Sequence, residues 1–153
     1  MFYSEQEIST AILSAKHTIN ERTQLGKLIW GYNDCWMLAV TYEGFLRGPK
    51  SLAHKLPDCG PYENHSEFLS RIREKGFSSL QDLAIIMKFE TVADRKPQFG
   101  DVAYEERHGV GTTMIADRDY WISTGADALG ITNSRRVLPK EIRPALLVRP
   151  TYL

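Results

Sequence analysis

Apolar residues recur at helical spacing from the start of the chain. Ile8, Ala11, Ile12, Ala15 and Ile19 mark one face of a helix. Ser4 with Glu7 three places later has the form of a capping box, in which each side chain takes the other's backbone N–H. The pattern ends near residues 21–23, and a connector with Gly26 and Gly31 follows. Cys35 to about Leu46 reads as a second, more apolar helix, stopped by Gly48-Pro49. A third helix starts at Asn64 or Ser66, turns Phe68, Leu69 and Ile72 inward, and takes Gly76 as its C′ residue. A fourth starts at Ser78 or Ser79 and carries Leu80, Leu83, Ile86 and Met87. Pro97-Gln-Phe-Gly-Asp is a turn.

After Gly100 the runs become short and β-like: Val102-Ala-Tyr, Thr112-Thr-Met-Ile-Ala, Tyr120-Trp-Ile-Ser-Thr, Ala128-Leu-Gly-Ile-Thr and Ala145-Leu-Leu-Val-Arg. Pro150 stops further sheet pairing at the last of them. Helices followed by an antiparallel meander predict an α+β domain. Residues 1–24 read as an N-terminal helix, either packed on the domain or reaching out as an assembly arm. Residues 25–153 read as the domain proper.

Composition narrows the function classes. The 153 residues suit one domain with a proper core. Nineteen basic and nineteen acidic residues cancel and are interspersed, so no electrostatic footprint for nucleic acid appears. No apolar run approaches a membrane span, and the first residues carry no signal-peptide pattern. Two cysteines, Cys35 and Cys59, make no disulfide framework. No histidine has metal-ligand spacing with a cysteine, and no cofactor motif is visible, so neither a metal nor a cofactor is expected.

The chemistry centres on Asn33-Asp34-Cys35. Both Asn33 and Asp34 are good N-cap residues, which puts Cys35 in the first helical turn. Unpaired N–H groups and the positive helix end favour a thiolate there, the usual placement for a thiol nucleophile. A packed thiol at a helix start is the competing reading. For Asp34 the N-cap role suffices. Trp30, Trp36 and Trp121 fit core packing better than a substrate cleft.

Trp30-Gly-Tyr-Asn-Asp-Cys35, the turn leading into Gly100-Asp101-Val102 and the closing strands together resemble the NlpC/P60 superfamily, most nearly a small phage-encoded branch that opens with Trp-Gly-x-x-Asp-Cys. The resemblance spans about residues 25–149 and implies a papain-related fold. Active members are cysteine peptidases or amidases, many cutting peptidoglycan peptides; phage members sit in tails or tail-assembly proteins. In active members a histidine on the strand after Gly-Asp activates the thiol, and a polar residue on the next strand orients it. On this pattern Thr112 occupies the histidine position and Ser123 is the nearest match to the third residue. A missing general base typically costs about 10²–10⁴ in rate. His108, in a glycine-flanked stretch read as a mobile loop, is the substitute base to test; His17, His54 and His65 read as surface or cap residues.

The resemblance therefore implies a catalytically degenerate, tail-associated structural or assembly protein, with other tail proteins as partners. Its place would be the virion tail, or the host cytoplasm during assembly. The alternative is a peptidase or amidase acting on peptidoglycan peptides with Cys35 as nucleophile.

Overall fold

The computed structural model describes residues 1–22, 29, 31–55, 60–78, 80–107, 110–118, 120–125, 128–134 and 144–153. Helix α1 spans Glu5–Arg22. Its capping box forms: the Ser4 N–H donates to Glu7 Oε2 at 2.8 Å and the Glu7 N–H to Ser4 Oγ at 3.2 Å. All five residues of its apolar face are buried, and they join the same core as α2 and the sheet. Helix α2 runs from Cys35 to Arg47 and stops at Gly48, which adopts φ 55°. Helix α3 (His65–Glu74) is capped by Asn64, whose Oδ1 accepts the Glu67 N–H at 2.9 Å. It buries Phe68 and Ile72. Helix α4 (Leu80–Ile86) is preceded by Ser78, whose N–H donates to Asp82 Oδ2 at 2.8 Å.

Among the described residues six antiparallel strands form one sheet: β1 (Glu90–Thr91), β2 (Val102–Arg107), β3 (Val110–Asp117), β4 (Tyr120–Gly125), β5 (Ala128–Ser134) and β6 (Leu146–Arg149). Their order is β1-β6-β2-β3-β4-β5. Strands β2 to β5 are the expected meander. Strand β6 departs from it, returning to the far side of β2, where Leu147 pairs with Ala103. The two-residue β1, absent from the sequence reading, edges the sheet beside β6. Pro150 ends β6, but pairing resumes one residue later, where Thr151 bridges Phe2. The expected loop after Glu105 is instead ladder: Glu105 pairs with Thr112, Glu106 with Gly111 and Arg107 with Val110.

Both faces of the sheet are covered. One packs Val102, Tyr104, Ile115, Ile122 and Val148 against the helices; the other buries Ala103, Met114, Ala116, Trp121 and Leu147. Trp36 and Trp121 are core residues on opposite faces.

The end of α2 is anchored by buried charge. Glu43 and Arg47 pair at 3.3 Å with side chains 0% and 1% exposed. Glu43 Oε1 also accepts the Leu52 N–H at 2.8 Å, and its Oε2 the Ser51 hydroxyl. Arg47 donates to the carbonyls of Met87, Lys88 and Thr151. Its guanidinium also lies over the Phe89 ring. No helix among the described residues is long and apolar enough to cross a membrane.

Candidate functional site

The stretch from Ile29 to Asp34 is folded by its own side chains. Asn33 Oδ1 accepts the Ile29 N–H at 2.8 Å, and its Nδ2 donates to the Arg22 carbonyl at 3.2 Å, tying the turn to the end of α1. Gly31 takes φ 76°. Its N–H donates to Asp34 Oδ2 at 2.6 Å, while Asp34 Oδ1 accepts the Met37 N–H at 2.9 Å. Asp34 is thus the N-cap of α2, as its residue type predicts. Cys35 follows in the first turn, as a free thiol.

Asp34 carries both a cap and a charge, and the two separate by substitution. Asp34→Asn retains an acceptor for Met37 and costs well under the roughly 1 kcal/mol of a lost cap. Asp34→Ala loses the cap and the Gly31 contact, and costs about 1–2 kcal/mol. Urea denaturation of both variants checks this ranking.

The strand residue set against Cys35 is Thr113, not Thr112. The Thr113 N–H donates to Cys35 Sγ at 3.5 Å, and the Thr113 hydroxyl donates to the Cys35 carbonyl. Thr113 is 1% exposed and pairs across the sheet with Tyr104. Thr112 alternates with Met114 and Ala116, so it belongs to the sheet face turned away from α2. Ser123 does not reach the thiol. Its Oγ donates to the Thr113 carbonyl at 2.8 Å and to its neighbour Thr124 at 3.3 Å. On β4 the residue sharing the helix-facing side with Ile122 is Thr124, 8% exposed, whose buried Oγ1 has no hydrogen-bond partner.

The thiol's ionisation runs opposite to what its place on the helix suggests. Cys35 is half-buried as a residue, but its sulfur lies deep between α2 and β3. Burial raises its pKa above the ordinary thiol range, and the Asp34 carboxylate raises it further; the contacts from Thr113 offset only part of this. Tyr104 is raised as well, chiefly by burial and then by the proximity of Cys35. Desolvation and a neighbouring anion both disfavour the thiolate.

His17 is exposed on α1 and lies 3.2 Å from Glu21. His108, Trp30 and Cys59 lie outside the described residues, as do the side chains of His54 and His65. Among the described residues no group of three His, Cys, Asp or Glu gathers to hold a metal. Sequence reasoning missed Thr113, Tyr104 and Thr124. The signal that finds Thr113 and Thr124 is their two-residue spacing from the core residues Ile115 and Ile122.

The arrangement makes Cys35 Sγ a hydrogen-bond acceptor for a strand backbone. An imidazole on β3 would have to act from the place that Thr113 occupies. No family model, curated protein or solved structure matches this chain.

Proposed function

We propose that this chain is a non-catalytic structural or assembly module of a phage tail, built on an NlpC/P60-like, papain-related domain. The observation that supports it is Thr113 against Cys35. Its hydroxyl cannot take up a proton at neutral pH, and the sulfur that accepts its backbone N–H has its ionisation pushed upward by burial. The other signature residues have structural employment. Gly31 and Asp34 build the turn and cap of α2. Asp101 accepts Arg149 Nε at 2.9 Å and Nη2 at 2.8 Å, clamping β6 to the 97–101 turn. The tail setting rests on the resemblance of the Trp30–Cys35 and Gly100–Val102 signatures. Other tail proteins are the partners it implies, in the assembled tail or in the host cytoplasm during assembly.

The competing reading is a thiol peptidase or amidase on peptidoglycan peptides. Cys35 in the first turn of α2 favours it. It requires a base from residues such as His108, and a thiol that ionises easily.

Alkylation separates the two. In a Cys59→Ser background, iodoacetamide reacts with folded Cys35 more slowly at pH 7.5 than with the unfolded chain. The rate climbs only above the unfolded thiol's pKa of about 8.5. The linked effect on stability has a fixed sign. A thiol with a higher pKa folded than unfolded leaves stability unchanged below about pH 8.5 and lowers it as pH rises beyond. Rapid alkylation at pH 6–7, or a peptidoglycan-cleaving activity abolished by Cys35→Ala or Cys35→Ser, overturns the structural reading. Retention of tail proteins by the tagged chain supports the assembly role.

A further inference from the structure

We infer that Cys35 is a wedge that holds β4 off β3, its sulfur taking the N–H that Thr113 would otherwise give to the β4 backbone. The β3–β4 ladder pairs Asp117 with Tyr120, Ala116 with Trp121 and Ile115 with Ile122, then stops. In the same register Thr113 would face Thr124, and that pair is not formed. In an antiparallel strand the N–H and C=O of one residue point to the same side, and residues two apart share that side. Ile115 is turned to β4, so Thr113 is turned to β4 as well. Both of its backbone groups are instead met by side chains: the N–H by Cys35 Sγ at 3.5 Å, the C=O by Ser123 Oγ at 2.8 Å.

The separation leaves marks on β4. The β4–β5 register shifts between Thr124 and Gly125. Thr124 Oγ1, on the helix-facing side just past the last rung, is buried and without a hydrogen-bond partner. Sulfur is a weaker acceptor than a carbonyl oxygen. The open state therefore depends on the bulk of Cys35 filling the gap, and the Thr113 hydroxyl bond to the Cys35 carbonyl keeps it seated. The sheet thus forks at Ile115 and Ile122 into two hairpins, β2–β3 and β4–β5, with Cys35 at the fork. This inference is independent of the tail setting and of catalysis.

The test is NMR on the full chain. In the wild type no coupling passes through a hydrogen bond from Thr113 N to the Thr124 carbonyl carbon; finding one overturns the wedge whatever the variants do. Cys35→Ala removes the sulfur, so that coupling appears and exchange of the Thr124 amide slows about tenfold, the worth of one net backbone hydrogen bond. Ser123→Ala leaves Cys35 in place, so Thr124 exchange stays at the wild-type rate. An unchanged Thr124 in folded Cys35→Ala, or closure in Ser123→Ala, overturns the inference.

Discussion

Arg47→Ala lowers folding stability by about 3–5 kcal/mol, the cost of leaving a buried charge without its partner. The remaining carboxylate of Glu43 is fully enclosed, and the carbonyls of Met87, Lys88 and Thr151 each lose the guanidinium, among the described residues only Lys88 keeping a second donor in the Thr151 hydroxyl. For a domain of this size that corresponds to a fall in Tm of roughly 6–20 °C. Glu43→Ala carries a similar cost, because the Leu52 N–H and the Ser51 hydroxyl lose their acceptor as Arg47 does. The two losses overlap. The double variant Glu43→Leu/Arg47→Met is expected to be more stable than either alanine variant, since an apolar pair of similar volume leaves no stranded charge. Thermal and urea denaturation of the wild type, the two alanine variants and the double variant Glu43→Ala/Arg47→Ala measures the coupling. Additive losses would show that the pair does not act as a unit.

Gly100→Ala is the second large effect, about 2–5 kcal/mol, and it arises from two separate causes. Gly100 adopts φ 90°, where a side chain is strained. A Cβ built there lies 2.6 Å from Ile8 Cγ2 and 3.0 Å from Tyr42 Oη, so the Ile8 side chain, Tyr42 or the turn itself must shift. Tyr42 cannot yield freely, because its hydroxyl donates to the Gly100 carbonyl at 2.8 Å and its ring is fully buried. The Gly100 N–H is also fixed, to the Ala116 carbonyl at 2.7 Å. Gly76→Ala is the control. Gly76 has φ 92° but open space around its Cα, so it reports the backbone strain alone, about 1–3 kcal/mol. Equal losses at the two positions would show that the close approach to Ile8 and Tyr42 has no weight.

The helical half of the chain was readable because its determinants are local. Ser4 and Glu7, Asn64, Gly48 and the five-residue face of α1 act within one or two turns of themselves. The placement of β6 beside β2 was not readable, since it depends on contacts more than forty residues apart. Strand β1 was missed because two exposed residues carry no pattern. The shift from Thr112 to Thr113 has a sharper cause. A slip of one residue turns a strand side chain to the opposite face. Alternation normally reveals the facing, but here Met114 and Ala116 are as buried as Ile115, because both sides of the sheet are covered. The buried Glu43–Arg47 pair was present in the sequence as a four-residue spacing on α2. Only its enclosure by the 51–52 segment, the end of α4 and Thr151 distinguishes it from a surface pair. Cys35 was placed correctly at the helix start, yet its burial and the charge of Asp34 both raise its pKa, and burial is a tertiary property that local sequence does not carry.

Helix α2 has Cys35 at one end and Arg47 at the other, roughly 20 Å apart along a single rod. Its first turn grips the fork of the sheet, and its last residue holds the carbonyl of Thr151. The helix therefore ties the C-terminal segment to the middle of β3, two places that the sheet itself connects only through β6 and β2.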